Sequence, residues 1–66
     1  MKILLNGNEH LAEDGLSITG LLISLQLADK RVAVEINQAI VPRSRHDTTV
    51  LQPLDKVEII HAIGGG

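Results

Sequence analysis

The sequence predicts an α+β domain in which one helix covers one face of a single sheet. Three observations carry this. An Asn6-Gly7 turn separates short apolar segments, a helical stripe runs through Ile18, Leu21, Leu22 and Leu25, and alternating segments follow at 32–36 and 57–63. Taken in chain order the elements are strand, strand, helix, strand, short strand, strand, so that helix is what can bury the apolar face of the sheet.

Lys2 to Asn6 is rich in Ile and Leu and reads as the first strand. Asn6-Gly7 is a strong hairpin signal, because both residues tolerate the positive φ that tight reversing turns require. Residues 9 to 13 are expected to return as the second strand. A two-residue loop at Asn6-Gly7 places His10 on the face of Ile3 and Leu5, and a three-residue loop through Asn8 places Leu11 there. The second is expected, because it buries a leucine instead of an imidazole. Ser17 is the expected N-cap of the helix. Ile18, Leu21, Leu22 and Leu25 stand at i, i+3, i+4 and i+7 and form its core stripe. Gly20 weakens the first turn by up to about 1 kcal/mol relative to Ala, and its small size is expected to let the helix approach the sheet.

Val32, Val34 and Ile36 alternate with Ala33 and Glu35, giving a strand with one buried face that turns at Asn37-Gln38. Ile40-Val41 is a short strand stopped by Pro42, which has no amide to donate and belongs at an edge or an end. Arg43 to Asp47 is expected as a polar loop. Leu51 and Leu54 are expected as core anchors around Pro53. In the last strand, Val57 to Ile63, Val57 and Ile59 share one face, and Glu58, Ile60 and Ala62 the other.

Sixty-six residues suffice for one domain. A chain this short buries only about 60% of the surface its unfolded form exposes, which disfavours a deep catalytic cleft. There is no cysteine, so disulfides, thiolate ligands and a cysteine nucleophile are all excluded. Phe, Tyr and Trp are also absent, and the core must be aliphatic. A formal charge of −2 with scattered basic residues gives no attraction to nucleic acid. The apolar runs, such as Leu21-Leu22-Ile23, fall far short of the ~20 residues of a membrane span. Met1-Lys2 leads directly into a strand-like segment, so no signal peptide is expected and the cytoplasm is the default location.

Gly64-Gly65-Gly66 directly follows the last strand. At an average glycine usage of about 7%, three in a row at one given place arise in only ~0.03% of chains, which sets the tail apart from background. Glycine lacks a Cβ, so such a tail can thread extended into a narrow partner channel. The carboxylate of Gly66 is ionised at neutral pH and is a poor electrophile. Joined to AMP it becomes a mixed anhydride, from which a sulfur nucleophile can displace AMP and leave a thiocarboxylate. The chain is then a tethered cosubstrate and not an enzyme.

The segments Lys2-Ile3-Leu4-Leu5-Asn6-Gly7, the helix from near Ser17, Asn37-Gln38-Ala39-Ile40-Val41-Pro42-Arg43 and the stretch from Asp55 to Gly66 resemble the ThiS family, the sulfur carriers of thiamin biosynthesis. The resemblance covers essentially the whole chain, and Ile40-Val41-Pro42-Arg43 with the terminal glycines is its most specific part. It implies a ubiquitin-like β-grasp fold over residues 1–63 with a flexible glycine tail at 64–66. It also implies no bound cofactor. A ubiquitin-activating-like adenylyltransferase (ThiF-like) uses ATP and Mg to adenylate Gly66, a sulfur donor such as a cysteine desulfurase supplies sulfur, and the thiocarboxylate serves thiazole synthase (ThiG-like). Ile63, Gly64 and Gly65 are then the tail residues in the partner's channel. Relatives often carry an aromatic residue after Pro-Arg or in the last strand, where this chain has His46 and His61.

The expected docking surface is Ile60 and Ala62, with Leu4 or Ala33 beside them, on the sheet face opposite the helix and with Arg43 at its edge. Arg43 and Arg45 with His46 can offer positive charge to an acidic partner loop, although a cluster of this kind is more often a solvated loop. Ser44, His46 and Asp47 have the residue types of a hydrolytic triad, but near-neighbours on one short loop do not reach relay geometry. His10, His46 and His61 lack metal-ligand spacing. Two alternatives stay open: a carrier for molybdopterin synthesis, which also ends in Gly-Gly on a β-grasp domain, and an interaction module whose tail has no chemistry.

Overall fold

The computed structural model describes residues 1–61. Strands β1 (Lys2–Leu5) and β2 (Asn8–Leu11) form a hairpin, helix α1 (Ile18–Ser24) follows, and β3 (Val32–Ile36), β4 (Ala39–Val41) and β5 (Lys56–His61) complete the sheet. The strand order is β2-β1-β5-β3-β4. β1 and β5 run parallel, and the other neighbouring pairs are antiparallel. This is the β-grasp arrangement, with the last strand at the centre of the sheet and the helix across one face.

The helix forms where its cap and its stripe agree. Ser17 has extended backbone and its Oγ accepts the Gly20 amide at 3.0 Å, which satisfies one of the donors a helix leaves open at its start. Ile18, Leu21 and Leu22 are buried, and Leu25 packs at the margin. They meet Ile3 of β1, Val34 of β3, and Val57 and Ile59 of β5 in one aliphatic core, joined by Leu51 from the segment before β5. That segment is held at the helix entrance, where the Leu51 amide donates to the Leu16 carbonyl at 2.8 Å and the Ile18 amide to the Thr49 carbonyl at 3.0 Å. Replacing Ser17 by Ala is expected to cost about 0.5–2 kcal/mol, read as a lower denaturant midpoint by far-UV circular dichroism.

Four sequence expectations need correction. The hairpin uses the two-residue loop: Ile3 pairs with His10 and Leu5 with Asn8, so Leu11 lies on the open face, 80% exposed. Asn6 (φ 49°) and Gly7 (φ 85°) both occupy the left-handed region, and this turn fixes the register. The Asn6 side chain also accepts the Ile59 amide at 2.8 Å, a bond that a longer loop would displace. Burial exerted little counterweight, because β2 is an edge strand on which His10 stays partly exposed and so avoids full desolvation.

Leu54 is not an anchor. It is 67% exposed, with φ 68° and its amide bonded to the Lys2 carbonyl, so turn geometry and not packing sets its place. Residues 43–45, expected as plain loop, form a 3₁₀ turn after Pro42, whose carbonyl accepts the Arg45 amide at 2.9 Å. At Gly20 an added Cβ would come within 2.7 Å of Leu16 Cδ1, so the close approach there is to the Leu16 side chain and not to the sheet.

The second turn repeats the first. Asn37 and Gln38 both take positive φ, Asn37 Oδ1 accepts the Lys56 amide at 3.0 Å, and its Nδ2 donates to Asp55. An asparagine at each flanking turn therefore ties its side chain into the backbone of β5.

Candidate functional site

β5 is where the sheet meets the expected tail. Its described end is His61, and it is held on one side by the parallel pairing to β1 and on the other by five register pairs to β3. Alternation along β5 sends Val57 and Ile59 into the core and leaves Glu58 and Ile60 on the open face. Ile60 is 49% exposed and stands directly opposite the exposed Ala33. Of the expected docking residues, Ile60 and Ala33 are therefore neighbours on the face away from the helix. Leu4 does not join it: it aligns with Lys56, and Glu58 lies between that position and Ile60.

At this end of the sheet a shallow depression of about 490 Å³ is lined by Arg31, Val32, Ala33, Arg43, Ile60 and His61. It brings together two residues expected from sequence, Arg43 and Ile60, which lie 17 positions apart in the chain. Sequence reasoning missed Arg31 and His61. Arg31 immediately precedes β3, and the pairing of Val32 with His61 carries it to the end of β5. That adjacency depends on a register between distant strands, which no local pattern signals. Ala62, Ile63, Gly64, Gly65 and Gly66 lie outside the described residues.

The other candidate groups do not assemble. His46 is buried, with its Nε2 3.0 Å from the Val41 carbonyl, and Asp47 accepts the Thr19 hydroxyl. Both are engaged in holding the 43–49 segment against the domain, and neither is joined to Ser44. No group of three His, Asp or Glu among the described residues is placed to hold a metal ion. No helix among them is long and apolar enough to cross a membrane.

Comparison with known proteins gives this geometry its context. The model of the ThiS family matches residues 3–66. The sulfur carrier protein ThiS of Bacillus subtilis is 40% identical over 63 residues, covering 94% of this chain and 96% of that protein. A thiazole synthase of Magnetococcus marinus is 50% identical over 66 residues, and the chain spans only 20% of that protein's length. The crystal structure of the thiamine biosynthesis protein ThiS from Geobacter metallireducens superposes with a TM-score of 0.87 at 32% identity, over the whole of both chains. The chain belongs to the ThiS family, the sulfur carriers of thiamin biosynthesis.

Proposed function

We propose that Gly66 is the sulfur-bearing residue and that the domain presents it to two partners in turn. An adenylyltransferase resembling ubiquitin-activating enzymes uses MgATP to join the Gly66 carboxylate to AMP, with release of pyrophosphate. The persulfide of a donor such as a cysteine desulfurase then displaces AMP to form an acyl disulfide, a thiol reductant cleaves its S–S bond, and the resulting thiocarboxylate gives its sulfur to thiazole synthase. Each of these steps belongs in the cytoplasm, where ATP and reduced sulfur are at hand. The observation that carries this reading is the family match running through residue 66, which brings the glycine triplet inside the family's pattern. The thiazole synthase of Magnetococcus marinus, one fifth of whose length matches this chain, supports the choice of acceptor.

The domain's part is positional. After Ile63, Gly64 and Gly65 carry no Cβ, and glycine admits backbone conformations closed to other residues. A narrow channel can therefore take the tail while excluding side chains and water. Incubation with the adenylyltransferase, MgATP and a sulfur donor is expected to raise the intact mass by the difference between sulfur and oxygen. An unchanged mass, where a control carrier is loaded, favours an interaction module with an inert tail.

Ile60 is proposed to dock the adenylyltransferase, with Ala62 and Arg43 beside it. Ile60→Asp is expected to weaken that binding and leave the fold intact, because the side chain is half exposed on the face without the helix. Titration calorimetry against the adenylyltransferase checks this, and unchanged affinity would refute the placement.

A further inference from the structure

We infer that the depression at the end of β3 and β5 receives a segment of thiazole synthase that carries an apolar side chain beside a carboxylate, with Arg31 and Arg43 as the residues that read the carboxylate. This rests on the proposed sulfur delivery and specifies the contact that would serve it.

The open face of the sheet is polarised along β5. Glu58 and Glu35 stand directly opposite each other across the β5–β3 pairing. One pleat further along the same face, Ile60 stands opposite Ala33. Beyond them, at the sheet end, Arg31 and Arg43 line the same depression as Ile60 and Ala33. Acidic, apolar and basic groups thus follow one another over a few residues, in the direction in which β5 runs toward Gly66.

Each layer lacks an internal complement. Like charges directly opposite across two strands destabilise a sheet, so the glutamate pair is not there for the domain's own stability. Neither Arg31 nor Arg43 forms an ion pair among the described residues, where the ion pairs are Met1 with Asp14 and Lys2 with Glu9. Among the described residues nothing covers the exposed side of Ile60. A surface ordered in this way favours a partner ordered the opposite way, with a cation toward the glutamates, an apolar group on Ile60 and a carboxylate toward the arginines. Two planar guanidiniums at the basic end suit carboxylate geometry, which they can bind through paired N–H donors. Such charge order contributes more to orientation and encounter rate than to affinity. Orientation is what a carrier requires, since a partner docked in reverse leaves the tail pointing away from the site it must enter.

Thiazole synthase is the occupant because matching proteins of that name hold the equivalent of this chain within one longer polypeptide, at 20% of their length in both Magnetococcus marinus and Paramagnetospirillum magneticum.

The test measures the affinity of the whole chain for purified thiazole synthase, using the wild type, the double variant Arg31→Glu with Arg43→Glu, and Arg45→Glu as an exposed control that does not line the depression. Far-UV circular dichroism confirms that each is folded. The double variant is expected to bind at least about tenfold more weakly, because it sets carboxylates against carboxylates. Added salt is expected to weaken the wild type more steeply than the double variant, and Arg45→Glu to stay within about twofold of the wild type. Equal binding by the wild type and the double variant overturns the inference and leaves the sulfur-carrier reading standing. A loss as large in Arg45→Glu as in the double variant also overturns it, since the effect is then one of overall charge. A wild type that acquires the thiocarboxylate mass but does not bind the synthase at all removes both the inference and the proposed acceptor.

Discussion

A chain lengthened by one alanine after Gly66 is expected to acquire no sulfur under conditions that load the unextended chain. The added residue moves the reacting carboxyl along by about 3.3–3.6 Å when extended. Misplacement of a reacting group by as little as about 1 Å can cost about a hundredfold in rate. The alanine also brings a Cβ to a point where the sequence supplies three residues without one. Intact mass after incubation with the adenylyltransferase, MgATP and sulfur donor reads the outcome directly. An extended chain that loads at the unextended rate, with its alanine still attached, removes Gly66 as the reacting residue.

Leu21→Ala is expected to bring the domain close to its unfolding midpoint at 25 °C. Leu21 is completely buried, and it sits where α1 meets the sheet. Truncating a buried leucine to alanine typically costs about 2–5 kcal/mol, made up of lost transfer energy and the cavity left behind. A single core in a domain of this size supplies roughly 3–5 kcal/mol in total. The two ranges overlap, so this one substitution consumes most or all of the margin. With no Phe, Tyr or Trp in the chain, intrinsic fluorescence cannot follow the transition, and far-UV circular dichroism or NMR dispersion must. A folded spectrum with an unshifted denaturant midpoint would show that stability resides elsewhere than in the helix-to-sheet contact.

What could be read from the sequence follows the range of the interaction concerned. The helix was legible because its cap and its stripe, Ser17 to Leu25, lie within nine consecutive residues. β3 was legible because strict alternation survives from Val32 to Ile36. The hairpin was legible in its position but not in its register, since leucine burial favours one register and the geometry of Asn6-Gly7 the other. On an edge strand the turn prevails: it imposes its φ values wherever the strand goes, and an edge offers little burial to oppose it. Leu54 was misread in the same way, as a leucine expected inside that a turn holds outside.

The candidate site divides along the same line. Ile60 and Arg43 carry local signals, an exposed apolar residue in an alternating strand and a charge after a proline. Arg31 carries none, and its role emerges only when β3 is laid beside β5. The sulfur chemistry is a different case, because glycine carries no side chain from which reactivity can be read. Three glycines indicate steric freedom, and the family resemblance supplied the reaction.

The parallel pairing of β1 with β5 has a mechanical consequence. A partner that draws on Gly66 pulls along β5, and the bonds from the Leu4 amide to the Asp55 carbonyl and from the Asn6 amide to the Val57 carbonyl lie across that line of force. They are loaded together in shear instead of parting one at a time as in a peeled hairpin. The asparagine side chains at both turns add further cross-ties to the same strand. Tension applied beyond His61 would thereby be spread over the middle of the sheet.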